Sequence, residues 1–311
     1  MKTEAAGQRA TSRGTYSGLL GTNVEIKVIA EAGSEGSARV IAEASEQAAL
    51  AEMVRLQSVF SVFEPSSELC RWRAGDDVTP SAELADVLGA AQHWWTVSGG
   101  AFHPATAPLR ERWLRAENDQ IPPSEDELAA LAAGLRGLPF EVSASGVRRI
   151  GDCSGVELNA IAKGYIVDRG VAAGRAVSGV ADVLVNAGGD LRHEGDQALR
   201  VGVEDPRTPG GAPLQRVELR SGALATSGPV HRGFRIRGQW YGHVLDPRTG
   251  RPVIGRPSTT VRAADARTAD ALATVAGVLD WPQAVEVLTA TPGAGCLAVF
   301  DSGEVTTCGD W

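Results

Sequence analysis

Two positions near the end of the chain carry oxygen donors at a spacing that suits a metal ion. Asp270 and Thr274 are four residues apart, so both side chains project from one face if the segment is helical. A carboxylate and a hydroxyl suit a hard cation such as Mg²⁺, which prefers oxygen ligands. For such a pair on its own, a solvated aspartate and a threonine bonded to its own helix are the commoner explanation.

Lysine is rare in this chain, which draws attention to Lys163. Of the 30 basic residues only Lys2, Lys27 and Lys163 are lysines. A compact ammonium fits beside an anionic group where the broad fork of arginine does not, although chance explains the bias equally well. The sequence predicts a helix here, in which Ala160 and Lys163 share a face. Glu157, near its start, could accept hydrogen bonds from a ligand; an ordinary amphipathic helix with surface charges is the alternative.

His243 has the best context for chemistry among the five histidines. It lies at the predicted end of a strand, just before Asp246-Pro-Arg-Thr-Gly250, a strong turn sequence. There it could act as a base or as a polar contact. A structural role is commoner for a single histidine at a strand end.

Two glycine-containing segments allow a ligand to come close to the backbone. Gly188 and Gly189 follow a predicted buried strand, where paired glycines let main-chain amides approach a ligand. A tight turn explains them equally well. Phe102 stands beside polar residues in the segment 100–109, which could pack against a flat ring system or form a helix–loop–helix corner.

The elements that must position these residues indicate an α+β protein. The predicted helices cover residues 37–60, 81–98 with Ser81 as N-cap, 105–115, 124–135, 157–177, 266–279 and 282–291. The predicted strands cover residues 18–30, 182–186 and 295–300, with a strand or a hairpin over 140–150 and several short strands between 199 and 261. Residues 62–73 are predicted as a loop. Long helices with antiparallel-looking strands favour α+β over a doubly wound parallel sheet. No GxGxxG follows a strand, which argues against a Rossmann-type site.

Length and composition restrict the function classes. We expect a flexible tail over residues 1–16 and one catalytic domain over 17–311, with two intimate subdomains as the alternative. The net charge of −8 argues against nucleic-acid binding. No apolar run approaches the roughly 18 residues of a membrane helix. The N-terminus lacks an apolar signal region, and the four cysteines form no CxxC pair, so a reduced cytoplasmic protein is expected.

Taken in order, the motifs resemble the ApbE family of FAD:protein FMN transferases over nearly the whole chain. The resemblance rests on eight segments: 20–25 (LGTNVE), 60–68 (FSVFEPSSE), 100–104 (GAFHP), 161–168 (IAKGYIVD), 185–190 (VNAGGD), 225–228 (ATSG), 243–250 (HVLDPRTG) and 269–274 (ADALAT). Each segment is weak evidence by itself. Their order and spacing make the resemblance strong.

The resemblance implies an α+β flavin-binding fold of the thiamine-biosynthesis-lipoprotein type, with long helices and mostly antiparallel sheets. It also implies a Mg²⁺ site formed by the Ala160 carbonyl, Asp270 and Thr274. The implied FAD contacts are Leu20, Ala101, Phe102, His103, Glu157, Lys163 and Val244. Lys163 and the metal would handle the pyrophosphate, and His243 would act as the base on a Ser or Thr hydroxyl of an acceptor flavoprotein, with release of AMP.

Three positions and one short stretch depart from the pattern of the family. His103 stands where an acidic residue is usual, Glu157 replaces the usual Asp, and Asn159 is bulkier than the usual Gly or Ala. Residues 229–232 replace a stretch that is often acidic and aromatic. The alternatives are therefore FAD hydrolysis to FMN and AMP, a flavin-binding protein that has lost transfer, and an enzyme that modifies a small molecule.

Overall fold

The computed structural model describes residues 7–230 and 232–311. The helices are α1 (Glu35–Phe60), α2 (Glu68–Ala74), α3 (Ala82–Val97), α4 (Ala107–Asp119), α5 (Glu125–Gly134), α6 (Ala162–Arg175), α7 (Ala266–Val278) and α8 (Trp281–Ala290). The strands are β1 (Gln8–Leu19), β2 (Thr22–Ala32), β3 (Phe140–Ser143), β4 (Gly146–Arg149), β5 (Val180–Ala187), β6 (Asp190–Gly195), β7 (Leu199–Val203), β8 (Gln215–Leu219), β9 (Gly222–Ser227), β10 (Gly233–Ile236), β11 (Gln239–Gly242), β12 (Ser258–Ala263), β13 (Gly295–Val299) and β14 (Val305–Gly309). Helices together with mostly antiparallel strand pairs confirm the α+β prediction.

The chain divides into two compact units. The first unit comprises residues up to Gln57, Lys163–Ala225 and Ala263–Ala269. The second unit comprises Ser58–Ala162, Thr226–Arg262 and Asp270–Trp311. The single domain over residues 17–311 stays a prediction.

In the first unit, five neighbouring strands follow the order β1-β2-β5-β6-β9. Val24, Ile26 and Val28 are fully buried and alternate with more exposed residues, as expected when one face of a strand meets a core. α6 packs against α1, and the Ser45 hydroxyl donates to the Gly174 carbonyl at 2.9 Å. These contacts fix the helix that carries Lys163.

The predicted tail is partly wrong. Residues 8–16 form most of β1, which pairs with β2 from Gln8 opposite Ala32 to Ser17 opposite Asn23. Residues 1–6 lie outside the described part of the chain. The sequence of β1 is polar and shows no hydrophobic periodicity. β1 is an edge strand that forms through main-chain pairing with β2.

In the second unit, a row of three strands, β12-β13-β14, accompanies the hairpins β3-β4 and β10-β11. The helices of this unit are α2, α3, α4, α5 and α8, together with most of α7. α3 begins after Ser81, whose hydroxyl accepts from the Leu84 N–H as predicted. The predicted loop over 62–73 is wrong in part, because Ser67 caps α2. The core includes Trp113, which stacks on Phe234 with ring centroids 5.9 Å apart.

The predicted helix over 157–177 begins later than expected. α6 starts at Ala162, and the preceding residues form a turn in which the Ala162 N–H donates to the Leu158 carbonyl at 2.7 Å. The Glu157 N–H is used elsewhere, since it donates to the Pro104 carbonyl at 2.7 Å. Ala160 and Lys163 therefore do not share a face of one helix as predicted. Within the described residues, no helix combines the length and apolar character needed to cross a membrane.

Candidate functional site

Two hairpin turns lie side by side in the first unit, and one of them contains Leu20. Leu20 has a φ of 54°, in the left-handed region that side chains rarely adopt. Its N–H donates to the Gln57 side chain at 2.8 Å, which holds this backbone in place. Gly188 and Gly189 form the other turn, and a Cβ added to Gly188 would collide with the Thr22 hydroxyl. The strained position of Leu20 marks this end of the strands as a functional candidate.

Lys163 lies in the first turn of α6 and reaches the same end of the strands. Its Nζ is 2.6 Å from Oδ2 of Asp190, the first residue after the Gly188–Gly189 turn. The lysine side chain keeps 25% of its surface exposed, whereas Asp190 keeps 4%. The aspartate thus fixes an ammonium group that solvent, or an anionic ligand, can still reach. In the first unit, Leu20 lies in one of the two adjacent turns, and Lys163 pairs with Asp190, which follows the other.

Asp168, also on α6, holds the start of α7. Its two carboxylate oxygens accept from the N–H groups of Ala266 and Arg267 at 2.8 and 2.9 Å. Burial raises the pKa of Asp168 to about 6, and these two hydrogen bonds oppose the shift. Gly164 completes the packing, because a Cβ there would collide with the Ala266 carbonyl. The sequence predicted no role for Asp168.

The predicted metal ligands all belong to the second unit. Asp270 and Thr274 lie four residues apart on α7, so they share a helix face as predicted. Asp270 is 8% exposed, and Thr274 and Ala160 are half-buried. A carbonyl, a carboxylate and a hydroxyl are hard oxygen donors, which fit Mg²⁺. The described residues contain no group of three His, Cys, Asp or Glu side chains suited to a metal, so a site here must use carbonyl or hydroxyl oxygens.

The segment from Ala101 to His103 is almost fully buried in the second unit. The Phe102 N–H donates to the Ser98 hydroxyl at 2.9 Å, at the end of α3. The carbonyl of the next residue, Pro104, accepts from the Glu157 N–H. The structure therefore brings together two of the predicted flavin-contact segments, 101–103 and 157, through the main chain.

The side chain of His103 acts as a hydrogen-bond acceptor at a position where the resemblance implies an acidic residue. Its Nδ1 accepts from the Ala105 N–H at 3.0 Å. An aspartate makes the same bond to the residue two positions later in an Asx turn. Burial lowers the pKa of His103 to about 4, and the Gly137 carbonyl opposes the shift. The imidazole is therefore neutral at pH 7 and replaces the carboxylate oxygen as an acceptor.

The carboxylate of Glu157 is held by three neighbours. It accepts from the Thr106 hydroxyl at 3.1 Å, from Arg110 Nε at 3.2 Å and from Asn159 Nδ2 at 3.4 Å. The longer side chain of Glu157 and the larger Asn159 are thus in contact with each other. Two side chains that depart from the expected pattern are therefore hydrogen-bonded to each other.

His243 is exposed and directly follows β11. Its Nδ1 is 3.1 Å from the Arg232 carbonyl, which can only accept, so Nδ1 carries the proton. In the neutral ring the lone pair is then on Nε2. Val244, half-buried, is fixed by a bond from the Val253 N–H to its carbonyl at 2.9 Å.

The turn after His243 is anchored in the core of the second unit. The Gly250 N–H donates to the Asp246 carbonyl at 2.7 Å, and Trp113 Nε1 donates to the Gly250 carbonyl at 2.9 Å. A cleft of about 490 Å³ lies beside this turn, lined by residues that include Trp95, Gly100 and Arg248. None of the predicted site residues lines this cleft, so its volume does not locate the chemistry.

Residues 20–298 match the ApbE family. The chain belongs to the ApbE family. It is 33% identical over 221 residues to the FAD:protein FMN transferase of Rhodobacter capsulatus, a match that covers 68% of this chain but only 42% of that longer protein. It is 28% identical over 320 residues to the FAD:protein FMN transferase of Haemophilus influenzae, covering 97% and 91% of the two chains.

The fold of this ApbE-family chain is shared with a solved relative. The crystal structure of the ApbE protein of Thermotoga maritima superposes with a TM-score of 0.79 at 30% identity and covers 97% of both chains. The family and the flavin-transferase fold predicted from the sequence are thus confirmed. The roles of the individual site residues stay predictions.

Sequence reasoning found the motif residues of this ApbE-family chain but missed their partners, which are Asp190, Asp168, Thr106, Arg110 and the Arg232 carbonyl. The segments 161–168 and 185–190 were both recognised, yet nothing local indicated that Lys163 pairs with Asp190. One signal was available: Asp190 is a charged residue directly after a buried strand and turn, where a carboxylate needs a partner.

Proposed function

We propose that this ApbE-family protein transfers the FMN moiety of FAD to a Ser or Thr hydroxyl of an acceptor flavoprotein, with release of AMP. Flavin transfer is the activity for which the curated relatives are named. The observation that carries the proposal is α7, which holds the carboxylate of Asp270 almost buried, with Thr274 one turn later. A carboxylate and a hydroxyl one turn apart on one helix face are oxygen donors of the kind that Mg²⁺ prefers, which supports a metal at this place.

The proposed metal is Mg²⁺, held by the Ala160 carbonyl, Asp270 and Thr274. The donor set supports this ion because all three groups offer oxygen, and Mg²⁺ usually keeps several waters and phosphate oxygens as its other ligands. A bound Mg²⁺ would neutralise charge on the pyrophosphate of FAD.

The proposed base is His243. With Nδ1–H donated to the Arg232 carbonyl, Nε2 is the atom that can take a proton. The acceptor hydroxyl oxygen bonds to the phosphorus of the FMN phosphate while its proton passes to Nε2. The bond from that phosphorus to the bridging oxygen breaks, and AMP leaves with that oxygen. Lys163 is proposed to place its ammonium beside the phosphates, fixed from behind by Asp190.

The proposed FAD contacts fall into two sets. In the first unit they are Leu20, in the turn between β1 and β2, and Lys163, which pairs with Asp190 after the neighbouring Gly188–Gly189 turn. In the second unit they are Ala101, Phe102, His103, Glu157 and Val244, of which the first four are joined by the bond between Glu157 and Pro104. Buried apolar and main-chain groups of this kind suit a flat ring system.

The test is a transfer assay with purified protein, FAD, Mg²⁺ and a candidate acceptor. We expect AMP release and a mass gain on the acceptor equal to the added FMN. Asp270→Ala should abolish both the turnover and its dependence on metal. If neither AMP nor a mass gain appears with any acceptor, the transferase proposal fails.

A second candidate is hydrolysis of FAD to FMN and AMP. The exposure of His243 favours it, because water can reach the same base as an acceptor hydroxyl. The same assay separates the two reactions. Hydrolysis releases AMP without any acceptor and leaves free FMN in solution.

A further inference from the structure

The proposed metal ligands come from two segments of the chain. Ala160 lies in the turn that leads directly into α6, and Asp270 and Thr274 lie on α7. A Mg²⁺ site needs near-ideal geometry, so any shift between these segments weakens binding. The groups that hold α7 against α6 therefore affect metal binding.

α6 and α7 meet where α7 begins. At Gly164 the two backbones are so close that a Cβ would collide with the Ala266 carbonyl. One helical turn later, Asp168 accepts from both the Ala266 and the Arg267 N–H groups. Arg192 joins this junction, since it donates to the Ala264 carbonyl and lies 3.9 Å from Asp168.

Asp168 is not needed to start the helix. α7 has its own local cap, because Asp265 accepts from the Thr268 N–H at 2.8 Å and from its hydroxyl at 3.1 Å. A helix leaves its first four N–H groups without intrahelical partners. Asp168, almost one hundred positions earlier in the chain, accepts from two of these N–H groups, those of Ala266 and Arg267, which the local cap does not bind. Its effect is to fix where α7 lies.

We propose that Asp168 is a positioning residue that sets Asp270 and Thr274 relative to the Ala160 carbonyl and so determines the affinity for the divalent cation. This inference rests on the proposed function. Asp168 touches neither the metal ligands nor the reacting atoms; it acts through α7. The carboxylate suits this task because its two oxygens hold two adjacent N–H groups and thereby restrict both position and rotation of the helix.

The test measures Mn²⁺ binding, by the electron paramagnetic resonance signal of the free ion, in Asp168→Ala and Asp168→Asn. We expect Asp168→Ala to weaken binding at least about tenfold, as losses around metal ligands typically do. Asp168→Asn should fall between it and the parent protein, because one amide oxygen still accepts. Asp280→Asn is the matched control, since Asp280 caps α8 by accepting from the Gln283 N–H and α8 carries no predicted ligand.

A merely structural role predicts a different result. In that case Asp168→Asn and Asp280→Asn would both lower the melting temperature, and Mn²⁺ binding would stay within about twofold of the parent in each. Binding by Asp168→Ala at the parent affinity would overturn the proposal, as would equal weakening by Asp280→Asn. Should Asp168→Ala not fold, Asp168→Asn and Arg192→Lys decide the matter by the same measurement.

Asp270→Ala separates this inference from the proposed function. If Asp270→Ala loses Mn²⁺ binding while Asp168→Ala keeps it, only the positioning role fails. If Asp270→Ala keeps the parent affinity, the metal site itself is wrongly assigned, and the positioning role falls with it.

Discussion

His243 and His103 both lie in the second unit and both use Nδ1 to bind the main chain, but in opposite senses. His243 is exposed and its Nδ1 faces the Arg232 carbonyl, so Nδ1 is a donor. His103 is 7% exposed and its Nδ1 accepts from the Ala105 N–H. The first arrangement puts the proton of the neutral ring on Nδ1 and the lone pair on Nε2. The second keeps a neutral ring as a fixed acceptor.

The difference shows that the local backbone, rather than the residue type, assigns the role of each histidine. At position 103 an acidic residue is usual in the family, and the imidazole reproduces the one hydrogen bond that a carboxylate would make to the Ala105 N–H. The imidazole thus holds the turn from residue 103 to residue 105. It does so without the negative charge of a carboxylate, because burial holds the pKa of His103 at about 4.

Replacing His243 gives the largest expected effect. His243→Ala should slow transfer roughly 10²- to 10⁴-fold, the usual contribution of a general base. FAD affinity and melting temperature should stay near those of the parent, because the side chain is exposed. The rate of AMP release with a saturating acceptor is the measurement. His93→Ala, at another exposed histidine, is the control; unchanged transfer in His243→Ala would remove His243 as the base.

Replacing His103 should mainly affect stability. His103→Ala leaves the buried Ala105 N–H without its acceptor and opens a cavity, which together cost about 2–4 kcal/mol in unfolding free energy. His103→Asn should recover most of this loss, because its side-chain oxygen can accept from the N–H two residues later. Urea unfolding of the variants tests this. Equal losses for alanine and asparagine would show that the hydrogen bond is unimportant.

The burial of His103 also makes the stability of the protein depend on pH. His103 has a pKa of about 4 in the folded protein and 6.5 as its ordinary value. Between these values the unfolded chain binds a proton that the folded protein does not. Stability is therefore full above about pH 6.5 and falls as pH drops toward 4, with a loss of about 2 kcal/mol at pH 5.

Unfolding free energies at pH 7 and pH 5 check this prediction. His103→Asn does not titrate and keeps the acceptor, so its decrease between the two pH values should be smaller than that of the parent by about 2 kcal/mol. An identical decrease in both proteins would mean that His103 protonates freely when folded.

The smallest effect is expected at Glu157, which is tied to the His103 segment by its main chain. Glu157→Asp shortens the side chain by one methylene and weakens its bonds to Thr106 and Arg110, yet leaves the bond to the Pro104 carbonyl intact. We expect a change of less than about 1 kcal/mol in stability and a modest change in FAD affinity, measured by flavin fluorescence. A loss as large as that of His103→Ala would mean that the side chain, not the main chain, holds the segment.

Much of the fold could be predicted because its signals are local. Ser81 and Ser124 cap the helices that follow them, and the apolar periodicity of α1 and α7 is visible in the sequence. The spacing of Asp270 and Thr274 places them on one face as soon as α7 is a helix. The order of the motifs was enough to predict the family.

The tertiary structure alone decided the contacts between residues that are far apart in the chain. β1 has no local signal, because pairing with β2 forms it. α6 starts at Ala162 rather than at Glu157, and the Glu157 N–H pairs with the Pro104 carbonyl, more than fifty positions away in the chain. Asp190 became the partner of Lys163, and Asp168 the anchor of α7, through folding alone. Capping and periodicity act within a few residues, whereas these partners are decided by which segments the packed core brings together.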